Sequence, residues 1–421
     1  MRAHLRNLPI FALRLLTSPA GRALIVSVAC WLVAFQYCRY AFWRNPHSAF
    51  FRSEHVYDLQ YSNYRKQQAL EYIADNGAED TPQHHLASPP EICAAFVTVK
   101  REIQYVEAAI GSLLEGLTGE ERENLHAYVL FANSDPTIHP TYSQPWLRKM
   151  VDSAEGYNVS VEVLDHLREL EVARNFYEKG VFDYTYALDH CYQVGSPYIV
   201  MLEDDIILAD GWMAKARQAL LDVEAQSHEE KRNWIYLRLF YTETSMSWQD
   251  TDFWYGHMPF TFLLAVLSTF CFLILVRINF PSSRRHLDNW TVLALSAVST
   301  SAFVALLFMV GKYSLFPPLG VFELNKYGCC TQALVFPRPE VPALTKYLRG
   351  IGTGQTDTMI ENYADQQKLG RFALAPQQAQ HVGLQSSRDN TLINSQSTWA
   401  FSFETYDPQQ LKAEHKALVG G

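Results

Sequence analysis

The sequence predicts an α/β domain with a mainly parallel β-sheet. Three apolar, β-rich runs at 92–99, 128–132 and 198–202 have the composition of buried strands. Apolar residues recur at helical spacing between the first two runs, and a second helical pattern at 182–194 leads into the third run. Strands that alternate with helices in this way are typical of a parallel sheet with helices packed on its faces.

Three further elements are predicted along the chain. Residues 159–164 alternate like a strand, and a strand pattern resumes at 330–337. A helix is predicted near Thr356, whose hydroxyl is a candidate N-cap. Asp357 then falls in the first turn of this helix, where interaction with the helix dipole is an alternative explanation for a carboxylate.

Three consecutive acidic residues, Glu203, Asp204 and Asp205, follow the buried run 198–202. Adjacent carboxylates repel one another unless a cation lies among them. Oxygen ligands of this kind suit Mg²⁺ or Mn²⁺. A solvated acidic turn is the alternative, but the apolar residues on both sides of the trio favour a metal site.

Polar and basic side chains also follow the first two predicted strands. Ligands of open α/β sheets bind beyond the carboxyl ends of the strands, so these residues are candidates for substrate binding. Neither turn contains a GxGxxG or GxxxxGK[ST] motif, which argues against dinucleotide oxidoreductases and P-loop enzymes. The candidates are Thr98, Lys100, Arg101, Asn133 and Asp135.

The composition is that of a membrane-attached globular enzyme. The 421 residues carry a formal net charge of −9, which disfavours a nucleic-acid-binding surface. Hydrophobic residues reach 48 % and aromatic residues 13 %, whereas charged residues make up only 19 %. Apolar segments that could cross a membrane explain part of this excess.

The first apolar segment predicts an uncleaved signal anchor at 23–43. Four arginines precede it and no acid occurs before Glu54, which favours a cytosolic tail at 1–22. The span is short and suits a thin early-secretory or Golgi membrane. A cleaved signal peptide is the alternative, but the leader is long and lacks an obvious small-x-small cleavage site.

Two more apolar segments predict a transmembrane hairpin over 257–312. Their link contains three arginines and one histidine against a single acid, so it is expected in the cytosol. Buried core helices are the alternative, which the length and lack of charge of both segments disfavour. The predicted spans are 259–276 and 291–311, the cytosolic link is 277–290, and the two lumenal parts are 44–256 and 313–421.

Cysteines and a glycosylation sequon are consistent with a lumenal domain. Of the seven cysteines, Cys93, Cys191, Cys329 and Cys330 fall in the predicted lumenal parts, where disulfides persist. Four cysteines allow three full pairings, and we expect only that the two neighbours pair elsewhere rather than with each other. Asn158 begins a sequon on the same side of the membrane.

Five sequence blocks follow one another at 97–117, 128–135, 179–191, 198–206 and 381–387. In this order they resemble those of the N-acetylglucosaminyltransferase IV family of GT-A glycosyltransferases. The inserted hairpin additionally resembles the Golgi N-acetylgalactosaminyltransferases that modify the glycosylphosphatidylinositol (GPI) of anchored proteins. These resemblances imply a GT-A, Rossmann-like fold and inverting transfer of β-linked GalNAc from UDP-GalNAc to the first mannose of the GPI glycan. They also imply Mn²⁺, or alternatively Mg²⁺, as cofactor and a lumenal catalytic domain in the Golgi membrane.

The resemblance also implies a role for each candidate site residue. Asp205 and His381 match metal ligands, although a lone histidine would not be singled out otherwise. Glu203 and Asp204 match residues that hold the nucleotide ribose or the donor sugar, and Asp357 matches the general base. The remaining candidates for nucleotide-sugar binding are Thr98, Lys100, Arg101, Asn133, Asp135, Lys179 and Asp183.

Two other functions remain open from the sequence. One is an N-acetylglucosaminyltransferase that acts on N-glycans, which would not require a membrane hairpin inside the domain. The other is a catalytically silent membrane adaptor that binds GPI, which the presence of Asp205 and His381 disfavours. The identity of the donor among UDP-GalNAc, UDP-GlcNAc and UDP-Gal also stays open, because one hydroxyl epimer is distinguished by pocket geometry.

Overall fold

The structure is a computed structural model that describes residues 18–78, 86–324, 330–383 and 398–420. It divides into two compact units. The sheet unit comprises Tyr57–Ser245 and Pro318–Gly421, and the membrane-helix unit comprises Met1–Val56 and Met246–Pro317.

The sheet unit is a mixed α/β domain. Within the described residues, its main sheet has eight strands in the order β3-β2-β1-β4-β8-β6-β9-β7. The pairs β1–β2, β1–β4, β2–β3 and β6–β9 are parallel, whereas β8 and β7 run against their neighbours, so the sheet is mainly parallel. The strands are β1 Ile92–Thr98, β2 Leu125–Phe131, β3 Ser153–Glu155, β4 Tyr198–Glu203, β5 Ile206–Leu208, β6 Trp234–Arg238, β7 Gly320–Glu323, β8 Ala333–Pro337, β9 Gly370–Ala375 and β10 Ala379–His381.

Helices bury apolar residues against both faces of this sheet, so that two large hydrophobic clusters enclose its central strands. The strands of both clusters are continuous apolar runs because both of their faces are covered. The helices of the sheet unit are α1 Tyr61–Ala78, α2 Val106–Leu114, α3 Gly119–Glu123, α4 Leu147–Met150, α5 Val161–Ala173, α6 Phe176–Val194, α7 Trp212–Glu230, α8 Val341–Ile351, α9 Thr356–Gln367 and α10 Pro408–Val419.

Two local predictions are wrong. The predicted strand at 159–164 is the start of helix α5, because the Ser160 side chain accepts a hydrogen bond from the Val163 backbone N–H as an N-cap. The helix buries Leu167 and Leu170, a three-residue spacing that a strand cannot place on one face. In α9 the N-cap is Gln355 rather than Thr356, which is already helical.

A disulfide joins strand β1 to helix α6. It links Cys93 and Cys191, both fully buried, with Cα atoms 5.5 Å apart. Cys330 is also disulfide-bonded, but to none of the other described cysteines, and Cys329 lies outside the described residues. The expectation that these two neighbours pair with the other lumenal cysteines is therefore wrong for Cys330.

The membrane-helix unit contains three helices that are long and apolar enough to cross a membrane: Pro19–Ala41, Met258–Asn279 and Asn289–Met309. At 1.5 Å per residue, about 20 residues span the hydrocarbon core of a bilayer. The indole N–H of Trp31 donates to the carbonyl of Ala302 at 3.0 Å, which ties the first helix to the third. These helices support the assignment of the chain as a membrane protein. Shorter helices in this unit are Ser53–Val56, Phe253–Gly256 and Lys312–Leu315.

Candidate active site

A cleft of about 790 Å³ lies beyond the carboxyl ends of β1, β2 and β4. Lys100 and Arg101 follow β1, Asn133 follows β2, and the acidic trio follows β4, so each strand delivers polar groups to the same edge of the sheet. This is the position at which open α/β sheets bind their ligands.

The acidic turn after β4 is joined to His381 by a short second sheet. Strand β5, which follows Asp205, pairs antiparallel with β10 and places His381 opposite Ile206. The His381 Nε2 then lies 3.4 Å from the Asp205 Oδ2. Glu203, Asp205 and His381 each offer a ligand atom, and these atoms lie within 4.8 Å of one another. The structure thus brings together both residues predicted to bind metal, with Glu203 as a third candidate ligand.

The potential ligand atoms of Glu203, Asp205 and His381 fit a divalent cation. Asp205 is buried, and its Oδ1 has no hydrogen-bond partner among the described residues. A buried carboxylate oxygen without a partner is costly unless a cation or a water binds it. Gly383, which the sequence did not single out, packs against Asp205 so closely that any side chain there would collide with the carboxylate. Carboxylate oxygens with one imidazole nitrogen are a suitable ligand set for Mn²⁺.

The negative charge of the site is concentrated on Asp205. Burial alone would raise its pKa, but the positive charges of His381 and Arg101 hold the pKa well below the ordinary aspartate value. Arg101 Nη1 donates to Asp205 Oδ2 at 2.7 Å. Burial and the charge of Asp205 raise the pKa of Glu203. The site therefore combines one carboxylate whose pKa is lowered with another whose pKa is raised, and a cation beside them would lower the pKa of both.

Asp204 lines the cleft, and Thr98 lies behind it. The fully buried Thr98 hydroxyl donates to Asp204 Oδ2 at 2.5 Å, and the other Asp204 oxygen accepts from Arg101. Burial and the nearby Asp205 charge raise the pKa of Asp204 to about 7. Thr98 is not among the described residues that line the cleft, so it contacts the site through Asp204.

The loops after β1 and β2 are joined at the cleft. The Lys100 backbone N–H donates to Asn133 Oδ1 at 2.8 Å, and both residues line the cleft with Arg101. Asp135 is exposed and accepts from the Thr137 N–H at 3.0 Å, as the cap of the short helix Pro136–Ile138. Among the described lining residues Asp135 is absent, so the structure does not bring it to the cleft.

Lys179 and Asp183 form a satisfied, buried ion pair on one wall of the cleft. They lie one turn apart on α6, with Lys179 Nζ 3.0 Å from Asp183 Oδ2. Lys179 also donates to the Ala132 carbonyl at 2.6 Å and to the Tyr157 hydroxyl at 2.7 Å. Burial raises the pKa of Asp183, which Lys179 opposes. Tyr157 lies in a loop without a motif, so the sequence could not indicate it.

Asp357 lies in the first turn of α9 and lines the cleft. Its Oδ2 accepts from the Cys330 backbone N–H at 3.1 Å, and its Oδ1 accepts from the Thr358 N–H at 2.7 Å. Glu361, one turn further along, is instead enclosed by Arg238 at 2.9 Å and Arg371 at 3.1 Å. Of the carboxylates Asp135, Asp357 and Glu361, only Asp357 is among the described lining residues.

A mainly parallel sheet with a cleft and candidate metal ligands at its carboxyl edge, together with three apolar helices, is compatible with a membrane-attached glycosyltransferase, and a comparison with known families supplies that class. The sequence model of the family described as GPI-N-acetylgalactosamine transferase PGAP4 matches residues 92–379, and the chain belongs to this family. No curated protein matches the chain. Family membership implies GPI-anchored acceptors. The matched region contains every candidate site residue except His381, which lies just beyond its end.

Proposed function

We propose that this protein transfers GalNAc from UDP-GalNAc, with inversion, to the first mannose of the GPI glycan on anchored proteins. The observation that carries the proposal is the Glu203–Asp205–His381 cluster, which lies in the cleft of a chain from the GPI-GalNAc transferase family. The mainly parallel sheet with its cleft at the carboxyl edge supports assignment to the GT-A fold.

Asp205 and His381, with Glu203, are the residues that would hold Mn²⁺ or Mg²⁺. Bound there, the ion would neutralise charge that develops on the UDP leaving group. Lys100, Arg101 and Asn133 bring basic and amide groups to the nucleotide side of the cleft. Charge-assisted hydrogen bonds from such groups bind diphosphates well. The charges of Lys179 and Asp183 neutralise each other. We therefore assign to this pair the role of shaping the donor-facing wall of the cleft.

Asp357 is the proposed general base. Inversion needs a carboxylate that accepts the proton of the acceptor hydroxyl. The hydroxyl oxygen attacks the anomeric carbon at the same time, on the side opposite the leaving UDP. The Asp357 carboxylate can reach such a proton because Asp357 lines the cleft and is only partly buried. Hydrogen bonds from Cys330 and Thr358 fix the orientation of its carboxylate.

The membrane helices support an acceptor close to the bilayer. A GPI glycan is attached to lipid, so its first mannose lies near the membrane surface. The chain leaves the sheet unit after β6 and returns at β7, with the helices Met258–Asn279 and Asn289–Met309 between them. The Cys93–Cys191 disulfide supports a lumenal location of this unit, because disulfides persist in oxidising compartments. A Golgi location completes the proposal.

Donor screening tests the proposed function. The detergent-purified full-length protein is given a GPI-anchored acceptor and, separately, an N-glycan acceptor, with UDP-GalNAc, UDP-GlcNAc or UDP-Gal and Mn²⁺. We expect addition of one N-acetylhexosamine to the GPI acceptor from UDP-GalNAc, with β configuration by NMR. Preferred transfer to the N-glycan would favour an N-acetylglucosaminyltransferase IV-like enzyme. Transfer to neither acceptor from any donor would favour the silent adaptor.

A further inference from the structure

His139 lies behind the acidic turn in a chain of buried hydrogen bonds. Its side chain is 1 % exposed and is not among the described residues that line the cleft. The Thr141 backbone N–H donates to His139 Nδ1 at 3.2 Å, and His139 Nε2 lies 3.2 Å from Thr98 Oγ1. Thr98 in turn donates to Asp204 Oδ2 at 2.5 Å. The imidazole is thus connected to a cleft carboxylate through one hydroxyl.

The direction of each hydrogen bond follows from the groups involved. Nδ1 accepts from a backbone N–H, so the ring proton is on Nε2 and that atom donates to Thr98. The single Thr98 hydroxyl proton is then directed to Asp204. Burial and the positive charge of Arg101 lower the pKa of His139 to about 4, which agrees with a neutral ring. None of these groups can exchange its donor and acceptor roles in one hydrogen bond without loss of another hydrogen bond in the series.

His139 is also fixed in orientation by packing. Its ring stands edge-to-face against Phe131, with centroids 4.9 Å apart and an interplanar angle of 73°. Removal of the imidazole would leave the Thr98 hydroxyl without its donor in a fully buried position. An unpaired buried oxygen costs free energy and frees the hydroxyl to rotate away from Asp204.

We propose that His139 is a positioning residue for donor binding, which holds the Asp204 carboxylate through Thr98. This inference rests on the proposed function, because it assigns Asp204 to the donor side of the cleft. Groups that orient a ligand-binding side chain from behind commonly affect affinity although they contact no ligand. His139 therefore acts on the donor and leaves acceptor binding unaffected.

Three substitutions at one position separate hydrogen bonding from packing. His139→Gln retains an N–H donor near the position of Nε2, whereas His139→Asn retains an acceptor near Nδ1 but cannot reach Thr98. His139→Phe fills the ring volume without either hydrogen bond. We expect the Asn and Phe variants to bind UDP-GalNAc about tenfold more weakly and the Gln variant to remain within about threefold of wild type.

The measurement is calorimetric titration of the full-length protein with UDP-GalNAc in the presence of Mn²⁺, together with KM for the GPI acceptor and the thermal midpoint. Thr98→Val should weaken donor binding like His139→Phe, and the double variant should be no weaker than either single variant. Acceptor KM should not change.

Wild-type donor affinity in His139→Phe would overturn this inference alone. Equal losses in the Gln and Phe variants, with a lowered thermal midpoint in both, would also overturn it, because packing would then explain the effect. Absence of UDP-GalNAc binding by the wild-type protein would overturn the proposed function and this inference together.

Discussion

Asp357→Asn isolates the proposed proton transfer from the structure around it. The amide has nearly the same size as the carboxylate and keeps one oxygen that can accept from the Cys330 N–H. The second hydrogen bond, from the Thr358 N–H, is lost at a partly exposed position. Such a loss costs about 0.5–1.5 kcal/mol, so we expect the fold to persist.

The effect on turnover should be much larger than the effect on stability. A positioned general base contributes about 10²–10⁴-fold, which corresponds to about 2.7–5.5 kcal/mol of activation free energy. Donor affinity should be retained, because the nucleotide and metal contacts are assigned to other residues. The assay compares kcat with UDP-GalNAc affinity in the same variant, and Asp135→Asn is the control because Asp135 lies outside the cleft.

Two results would contradict the assignment of Asp357 as the general base. Unchanged turnover would leave Asp357 as a carboxylate at a helix start. A loss of donor affinity in proportion to the loss of rate would assign Asp357 to the donor pocket instead. Glu361, the next carboxylate along the helix, does not replace Asp357 as a candidate base, since Arg238 and Arg371 both pair with its carboxylate.

Three further predictions concern stability and topology. Cys93→Ala/Cys191→Ala opens a bridge between residues separated by 98 positions, so chain entropy predicts a loss of about 4–5 kcal/mol, and an unchanged thermal midpoint of the sheet unit would contradict this. The hydrogen bond between His415 and Glu121 raises the pKa of His415. The stability that the protonated ring contributes is therefore fully present below the unfolded pKa of about 6.5 and is lost as pH rises through the pKa of the folded protein. The thermal midpoint should fall between pH 6 and 8, and it should fall less steeply in His415→Gln. A glycosylation sequon introduced at Ser283 should remain unmodified, whereas glycan addition there would exclude a cytosolic hairpin link.

Continuous buried strands were predictable because a strand that is covered on both faces is apolar throughout, a pattern that a few consecutive residues show. The runs that became β1, β2 and β4 are apolar throughout, since helices cover both faces of the sheet. The strand predicted at 159–164 failed because alternation over six residues is weak evidence beside an N-cap at Ser160 and buried leucines further along the helix.

The site was predictable in part. The acidic trio is contiguous in sequence, and the strand before it indicates where it lies. The approach of His381 to Asp205 depends on pairing of β10 with β5, which are far apart in the chain, so only family resemblance could indicate it. Tyr157 is hydrogen-bonded to Lys179 and His139 to Thr98, and both lie in loops that no motif marks. The exclusion of Asp135 and Glu361 from the cleft required coordinates.

Metal-dependent UDP binding shows whether Glu203, Asp205 and His381 hold the metal. Calorimetry with UDP would compare the wild-type protein with Asp205→Ala and His381→Ala, with and without Mn²⁺. Asp75→Ala and His228→Ala are matched controls, because both side chains are exposed on helices of the sheet unit. We predict Mn²⁺-dependent binding in the wild type and controls, none in Asp205→Ala and a marked loss in His381→Ala. Wild-type, Mn²⁺-dependent binding by Asp205→Ala would show that the strand-end cluster is not the metal site.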